Sequence, residues 1–195
     1  MKLRVAVVYG GRSGEHEISI RSAKAILAGM DPAKYEKIEY FIDQEGKWSP
    51  QAIGPEPGAH PEIDVVFPVL HGTFGEDGTI QGLFELADLP YVGAGVLGSS
   101  VSMDKEMMKR VCTERMLPVV DYVTVTRGKA EIENICARLP FPMFVKPANL
   151  GSSVGISKVH NRRELAGALN LAAQYDRKIL VEKGIDAGIL ASEDA

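Results

Sequence analysis

Apolar residues come in short runs, separated by glycine-rich loops and by stretches with helical spacing. The first run, at residues 3–9, is typical of a strand buried on both faces of a parallel sheet. Glycines and polar residues follow, and then a helix is predicted whose apolar face includes Ala23 and Ile26 and which Pro32 ends. This order of strand, glycine loop and helix indicates an open α/β sheet, in which ligands bind at the carboxyl ends of the strands.

The same alternation continues to about residue 95. Strands are predicted at 37–42, 64–70 and 90–95, and a helix at 79–87. Residues 49–62 contain four prolines and two glycines, a composition that predicts a surface excursion without regular structure. The first half of the chain is therefore expected to be a Rossmann-like, open parallel-sheet domain at residues 1–100.

Beyond that boundary the pattern predicts a second lobe of helices and strands. Its first element is a helix from Ser99 to about Met116, and the apolar stripe of this helix is expected to be core. The stripe consists of Met103, Met107, Met108, Val111 and Cys112. Strands at 122–126, 140–145, 154–159 and 178–185 and helices after residues 130 and 161 complete the lobe; the second of these helices opens on an Asn161 capping box.

Composition narrows the class of protein. Apolar content of 45% and charged content of 25% are typical of a soluble globular protein, and a net charge of −4 argues against a nucleic-acid partner. No apolar run approaches the roughly 20 residues that span a bilayer, and the N-terminus has no signal-peptide pattern. Cys112 and Cys136 lack metal-ligand spacing, so they are interpreted as reduced packing residues of a cytoplasmic protein.

One hairpin offers chemistry suited to phosphate. Gly151, Ser152 and Ser153 join two predicted strands, and successive backbone N–H groups at such a tip can surround an anionic oxygen. Lys146, shortly before the tip, adds a point charge suited to phosphate. The alternative is an ordinary hairpin with a surface lysine. The stretch is not a P-loop, because no Gly-Lys-Ser/Thr follows the glycines.

Other candidates stand at strand ends. Glu15 and His16 follow the first strand, and they are either substrate contacts or solvated loop residues. His71 follows the strand at 64–70, inside an acidic, glycine-rich loop that favours a functional role. Lys105 lies in the first turn of a helix, where the dipole disfavours a cation, and this position suggests an anionic partner.

The last predicted strand contains two charged residues, Glu182 and Lys183, near its end. Such a pair usually marks an edge or an exposed strand end. It could equally be a surface against which a purine ring lies, with a carboxylate for the exocyclic amine.

Taken together, these segments resemble the D-alanine–D-alanine ligases of the ATP-grasp superfamily. The matching blocks are GGRSGEHEIS at 10–19, HGTFGEDG at 71–78, SMDK at 102–105, FVKPANLGSSVG at 144–155 and LVEK at 180–183. They follow the family's order and spacing from residue 3 to about residue 187. The resemblance implies a pre-ATP-grasp domain at residues 1–100, followed by the small α+β lobe of an ATP grasp at residues 101–187.

The resemblance also implies an activity and roles for individual residues. ATP phosphorylates one D-alanine, and the amine of a second D-alanine attacks the acyl phosphate, in peptidoglycan precursor synthesis. Glu15 is implied to bind the ammonium of the first D-alanine, with His71 near its carboxylate and Ser152 in the catalytic site. The residues implied to bind ATP are Lys105, Lys146, Gly151, Ser152, Ser153, Glu182, Lys183 and Ile185.

The resemblance ends at about residue 187, and residues 188–195 form a divergent tail. A frameshift or an early stop is the interpretation, so the C-terminal lobe is expected to be absent and the chain to be inactive alone. The expected ligands of two Mg²⁺ ions (possibly Mn²⁺) belong to that missing lobe. A homodimer without nucleic-acid or membrane partners is expected. The alternatives are a D-alanine–D-lactate ligase and a non-catalytic remnant that dimerises or binds a nucleotide.

Overall fold

The computed structural model describes residues 1–185 of the 195-residue chain, and these form two compact units. The first unit comprises residues 1–108 together with 149–152, and the second comprises 109–148 and the residues from 153 on. The predicted boundary at residue 100 lies inside a helix, α3 (Val96–Met103), whereas the two units divide after Met108.

The sheet of the first unit has four strands in the order β3-β2-β1-β4. They are β1 (Leu3–Gly10), β2 (Tyr35–Ile42), β3 (Trp48–Ser49) and β4 (Val65–Pro68). β1 pairs in parallel with both β2 and β4, which confirms the predicted parallel sheet, and β3 adds an antiparallel edge. The strand predicted at 90–95 is wrong, because only a single parallel bridge joins Tyr91 to Val66.

Helices cover both faces of this sheet. Because successive strand residues point to opposite faces, Val5 and Val7 of β1 pack on the side of α1 (His16–Gly29). Ala6 and Val8 face the other side, where the buried residues include Phe84 of α2 (Thr79–Leu86). The carboxyl ends of β1 and β4 lie side by side because the two strands pair in parallel.

The segment at 49–62 is more than a surface excursion. Ile53 is 3% exposed and His60 is 7% exposed, and Ile53 belongs to the core on the α2 side. The His60 Nε2 atom accepts a hydrogen bond from the Gly54 N–H at 2.9 Å. The His60 side chain therefore accepts a hydrogen bond from a loop N–H group that has no partner in a sheet.

The helix predicted from Ser99 to Met116 is two helices, α3 and α4 (Lys105–Glu114). They are separated at Asp104, whose backbone is extended. The Asp104 Oδ1 atom accepts hydrogen bonds at 3.1 Å from the backbone N–H groups of Glu106 and Met107. Asp104 is therefore the N-cap of α4, and this cap ends one helix and begins the next.

The prediction that the apolar stripe is core is wrong. Met107 is 41% exposed and Val111 is 48% exposed, while Met103, Met108 and Cys112 are half-buried. The buried side chains of α4 are instead charged: Glu106 is 9% exposed and Lys109 is 6% exposed. A charged group at this depth needs a partner, and the partner of Lys109 is part of the candidate site.

The second unit has an antiparallel sheet in the order β5-β8-β6-β7. Its strands are β5 (Tyr122–Thr126), β6 (Met143–Pro147), β7 (Ser157–Val159) and β8 (Lys178–Lys183). Its helices are α5 (Ile132–Arg138) and α6 (Arg162–Tyr175). The predicted β6–β7 hairpin is confirmed. The Asn161 cap is also confirmed, since its side chain accepts from the Arg163 N–H at 3.0 Å.

The two faces of this second sheet differ in character. Val123, Val145 and Val181, on three neighbouring strands, are buried in a core that also contains Ile135 and Leu165 from the helices. The intervening residues point to the opposite face, and that face carries Tyr122, Lys146 and Glu182.

Both cysteines are free thiols. Within residues 1–185, no helix combines the length and the apolar character that crossing a bilayer requires.

Candidate active site

The carboxyl edge of the first sheet begins with a glycine that no other residue could replace without strain. Gly10 has φ of 90°, and a Cβ atom at this position would lie 2.2 Å from the Ile42 carbonyl oxygen. The buried Ser19 hydroxyl accepts from the Gly10 N–H at 2.8 Å and donates to the Val69 carbonyl at 2.6 Å. These contacts tie the end of β1 to the segment that follows β4.

Glu15 and His71 come together at this edge. The Glu15 N–H donates to the Ser13 hydroxyl at 3.2 Å, and that hydroxyl donates to the His71 carbonyl at 2.7 Å. Gly72, with φ of 69°, lies beside the carboxylate: a Cβ atom there would be 2.8 Å from Glu15 Oε2. Within residues 1–185 the half-buried Glu15 carboxylate has no hydrogen bond or ion pair, so its charge is available to a cationic ligand.

The His71 ring is held by neighbours on both sides. Its Nε2 atom lies 3.3 Å from the Ser22 hydroxyl, and its Nδ1 atom lies 3.8 Å from Glu76 Oε1. The other Glu76 oxygen accepts from the Gly72 N–H at 2.8 Å. This arrangement adds a second carboxylate, that of Glu76, beside a histidine that can donate or accept a hydrogen bond.

His16 is not the solvated loop residue that was the alternative to a substrate contact, because it is the buried first residue of α1. It is 6% exposed, its Nδ1 atom lies 2.7 Å from the Gly11 carbonyl oxygen, and its ring meets Phe41 edge-on. A histidine with a backbone partner and an aromatic neighbour is a satisfied core residue.

The second unit contains a cluster of one carboxylate and two lysines on the polar face of its sheet. Glu182 of β8 forms an ion pair through Oε2 with the Lys146 ammonium of β6. Its Oε1 atom lies 3.1 Å from the Lys109 ammonium of α4. The side chains of Glu182 and Lys109 are 11% and 8% exposed, and that of Lys146 is 20% exposed.

The electrostatics of this cluster favour the ionised carboxylate. Burial raises the pKa of Glu182, but hydrogen bonds and charge from Lys146 and Lys109 outweigh it, and the pKa lies below its usual value. The Thr124 hydroxyl, on the same face, is buried without a hydrogen-bond partner among the described residues. The face therefore offers two cations, a carboxylate and an unused hydroxyl.

The remaining predicted site residues lie at the edges of these clusters. Lys105 is the first residue of α4, and its ammonium donates to the Leu150 carbonyl, next to the hairpin tip. Gly151, Ser152 and Ser153 are exposed, and both serines have left-handed backbones with φ of 49° and 63°.

Lys183 and Ile185 follow Glu182 and have exposed side chains. The Lys183 N–H donates to the Asp121 carbonyl at 3.0 Å, so its backbone donor is already used. Its side chain is left for solvent or a ligand.

Sequence reasoning missed Lys109. The available signal is its position four residues after Lys105, which places both lysines on one face of α4. Among residues 1–185, no group of three or more histidine, cysteine, aspartate or glutamate side chains is arranged to hold a metal ion.

Two family models match the chain. The model described as D-ala D-ala ligase N-terminus matches residues 4–59 and 52–94, and the model described as D-ala D-ala ligase C-terminus matches residues 111–191. The chain is 78% identical to the D-alanine--D-alanine ligase of Solibacter usitatus (strain Ellin6076) over 186 residues, which is 95% of this chain and 57% of that protein. Against the D-alanine--D-alanine ligase of Thermoanaerobacter sp. (strain X514) the identity is 50% over 224 residues, covering 95% of this chain and 62% of that protein.

Solved structures of ligases are also similar to this chain. The VanG D-Ala:D-Ser ligase from Enterococcus faecalis has a TM-score of 0.89 at 33% identity, over 95% of this chain and 64% of that chain. The D-alanine-D-alanine ligase from Coxiella burnetii has a TM-score of 0.86 at 38% identity, over 94% of this chain and 62% of that chain. The chain spans 57–64% of the length of these four relatives.

Proposed function

This chain belongs to the D-alanine–D-alanine ligase family, and from that premise we propose that it takes part in the ATP-dependent ligation of two D-alanine molecules. ATP phosphorylates the carboxylate of the first D-alanine, and the amine of the second displaces phosphate from the acyl phosphate. The product, D-alanyl-D-alanine, enters peptidoglycan precursor synthesis. The unpaired Glu15 carboxylate at the carboxyl edge of the first sheet is the observation that carries the proposal.

We assign the first D-alanine to that edge. The ammonium of an amino acid matches the Glu15 carboxylate, which has no cationic partner within residues 1–185. Gly72 leaves room beside the carboxylate because it has no Cβ atom. His71 is fixed nearby by Ser22 and Glu76, and it can donate a hydrogen bond to the substrate carboxylate.

We assign ATP to the polar face of the second sheet and to the hairpin tip. The ammonium groups of Lys146 and Lys105 are suited to phosphate, because lysine is a mobile point charge. The tip at residues 151–153 offers exposed backbone N–H groups and two hydroxyls to the terminal phosphate, with Ser152 at the reacting centre. Glu182, with Lys183 and Ile185 after it, is assigned to the adenine.

These assignments describe the first unit as a pre-ATP-grasp domain and the second as the small lobe of an ATP grasp. The residues at 1–185 do not fit a metal site, so the proposal gives them no Mg²⁺ or Mn²⁺ ligand. A homodimer in the cytoplasm that binds neither nucleic acid nor membrane is the expected setting.

The proposal is best tested with two proteins. One is the 195-residue chain, and the other is a chimera in which residues 1–185 replace the matching part of the Solibacter usitatus ligase. Both are incubated with ATP, Mg²⁺ and D-alanine, and ADP release is measured with and without D-alanine. Product analysis with D-lactate or D-serine added then identifies the second substrate.

The expected result is D-alanine-dependent ADP release and D-alanyl-D-alanine formation by the chimera, with a Glu15→Gln chimera as the matched control. The isolated chain is expected to bind ATP without ligating. A chimera that folds but releases no ADP with D-alanine would overturn the proposed function. A product that contains D-lactate or D-serine in preference to D-alanine would correct its specificity.

A further inference from the structure

The helix α4 buries a lysine and leaves Met107 exposed, which reverses the usual pattern. Lys109 is 6% exposed, whereas Met107 two residues earlier is 41% exposed. A lysine ammonium is strongly hydrated, so placing it in the interior is unfavourable unless its charge and its three N–H groups find partners. The fold tolerates this cost only because specific contacts offset it.

Lys109 has three such contacts, all within the second unit. Its ammonium lies 3.1 Å from Glu182 Oε1, donates to the Val120 carbonyl at 3.2 Å, and lies 5.3 Å from the centre of the Tyr122 ring. Carbonyl, carboxylate and aromatic face together satisfy the cation. Lys109 is consequently fixed in place, with little freedom to turn toward solvent.

The two oxygens of Glu182 have unequal partners. Oε1 faces the buried Lys109, and Oε2 faces Lys146, which is more exposed at 20% and lies on a strand of the sheet. The proposed function assigns Lys146 to a phosphate of ATP. A lysine that turns to phosphate releases Oε2, while Lys109 keeps its contact with Oε1.

We propose that Lys109 is a positioning residue that holds Glu182 in place, so that Oε2 accepts a hydrogen bond from the exocyclic amine of adenine. On this view Lys109 contributes to base specificity without touching the nucleotide. The inference rests on the proposed function, because it needs the purine to lie against Glu182. A lysine that only stabilises the fold would affect all nucleotides equally, and this difference makes the inference testable.

The test compares two nucleotides on the 195-residue chain. ATP carries the exocyclic amine, and purine riboside triphosphate lacks it but is otherwise the same. Their dissociation constants are measured by calorimetry for the unaltered chain and for Lys109→Met, with Lys129→Met as the control. Lys129 is an exposed lysine of the second unit, outside the cluster.

The unaltered chain and the Lys129→Met variant are expected to bind ATP about ten- to a hundred-fold more tightly than purine riboside triphosphate, the worth of one charge-assisted hydrogen bond. In Lys109→Met the preference should fall to about threefold or less, because ATP binding weakens and binding of the other nucleotide changes little. Lys109→Gln, which keeps an N–H donor but no charge, serves if the methionine variant does not fold. It should lose most of the preference as well.

Each other result has a definite meaning. If Lys109→Met or Lys109→Gln weakens both nucleotides by the same factor, Lys109 is structural and the inference is overturned, while the proposed ATP site stands. If a folded variant keeps the full preference for ATP, the inference is likewise overturned. If the unaltered chain binds neither nucleotide, the assignment of ATP to this face fails, and the role of Lys109 fails with it.

Discussion

The buried pair of Glu182 and Lys109 makes a stability prediction that can be checked without any ligand. Glu182→Leu keeps a similar side-chain volume and removes the carboxylate. Lys146 can then turn to water, because its side chain is already 20% exposed, but Lys109 at 8% exposure cannot. The variant therefore leaves an uncompensated charge in the interior of the second unit.

Removing one partner of a buried ion pair costs about 3–5 kcal/mol. With an m-value of about 1–1.5 kcal/mol/M, the urea midpoint of the second unit should fall by about 2–5 M. Replacing both partners by apolar residues is often neutral, so the double variant Lys109→Met/Glu182→Leu should recover to within about 1–2 kcal/mol of the unaltered chain. The second substitution thus restores stability that the first removed.

The two units can be followed separately. Hydrogen exchange of the β8 amides reports on the second unit, and fluorescence of Trp48, the only tryptophan in the sequence, reports on the first. The fluorescence midpoint should stay unchanged in both variants. If the double variant is as unstable as Glu182→Leu, the loss comes from packing rather than from an unpaired charge, and the reasoning is wrong.

Four more outcomes are expected. In the chimera, Glu15→Gln should weaken D-alanine binding about ten- to a hundred-fold with ATP binding nearly intact, because one charge-assisted contact is lost; calorimetry measures both. Lys146→Ala should raise the ATP dissociation constant by a similar factor, also by calorimetry. Hydrogen bonds from Arg4 lower the pKa of Asp64 to about 2, below its ordinary 3.8, so its stabilisation is complete above about pH 4 and disappears as the pH falls toward 2; Asp64→Asn should flatten the urea midpoint of the first unit across that range. Phe84→Ala removes a fully buried ring and should cost the first unit about 3–5 kcal/mol, measured by tryptophan fluorescence.

Each of these has a contrary result. An unchanged D-alanine affinity removes Glu15 from the substrate site, and an unchanged ATP affinity removes Lys146 from the nucleotide site. A urea midpoint that keeps its acid dependence in Asp64→Asn assigns that dependence to other carboxylates. A Phe84→Ala variant of normal stability means that the core on the α2 side collapses around the missing ring.

Elements set by local signals were predictable. The strand at 122–126 has the observed bounds of β5, and the first strand differs from β1 by one residue at its end, because β-branched runs with flanking turns define both. The Asn161 cap was also predictable, because a capping box involves residues three apart in the chain. In each case the deciding interactions lie within a few residues.

Elements for which two sequence signals compete were not predictable. The apolar stripe continues across Asp104, so periodicity favoured one long helix, while the Asp104 cap favoured two. The stripe itself suggested core, but burial on α4 is decided by Lys109 and by a carboxylate on a strand much later in the chain. A local pattern contains no information about which face of a helix meets that strand.

The candidate site likewise has one part that the sequence indicated and one part that it did not. Glu15 and His71 were each predicted at the end of a strand, and only the resemblance implied a shared substrate. The parallel pairing of β1 with β4 is what brings the two strand ends to one edge. The pairing of Lys146 with Glu182 depends on the strand order, in which β8 lies between β5 and β6. That order brings a strand from the end of the chain between two earlier ones, and no spacing in the sequence indicates it.

The single hydroxyl of Ser19 has a consequence for the free-energy cost of binding a ligand at the carboxyl edge of the first sheet. By joining the Gly10 N–H to the Val69 carbonyl, it orders the edge of the sheet during folding, before any substrate arrives. Ordering a mobile side chain on binding typically costs about 0.5–1.5 kcal/mol, and each such cost reduces affinity. The backbone at this edge has therefore already lost that conformational entropy, so a ligand that bound here, such as the amino acid of the proposed function, would give up mainly its own freedom of motion.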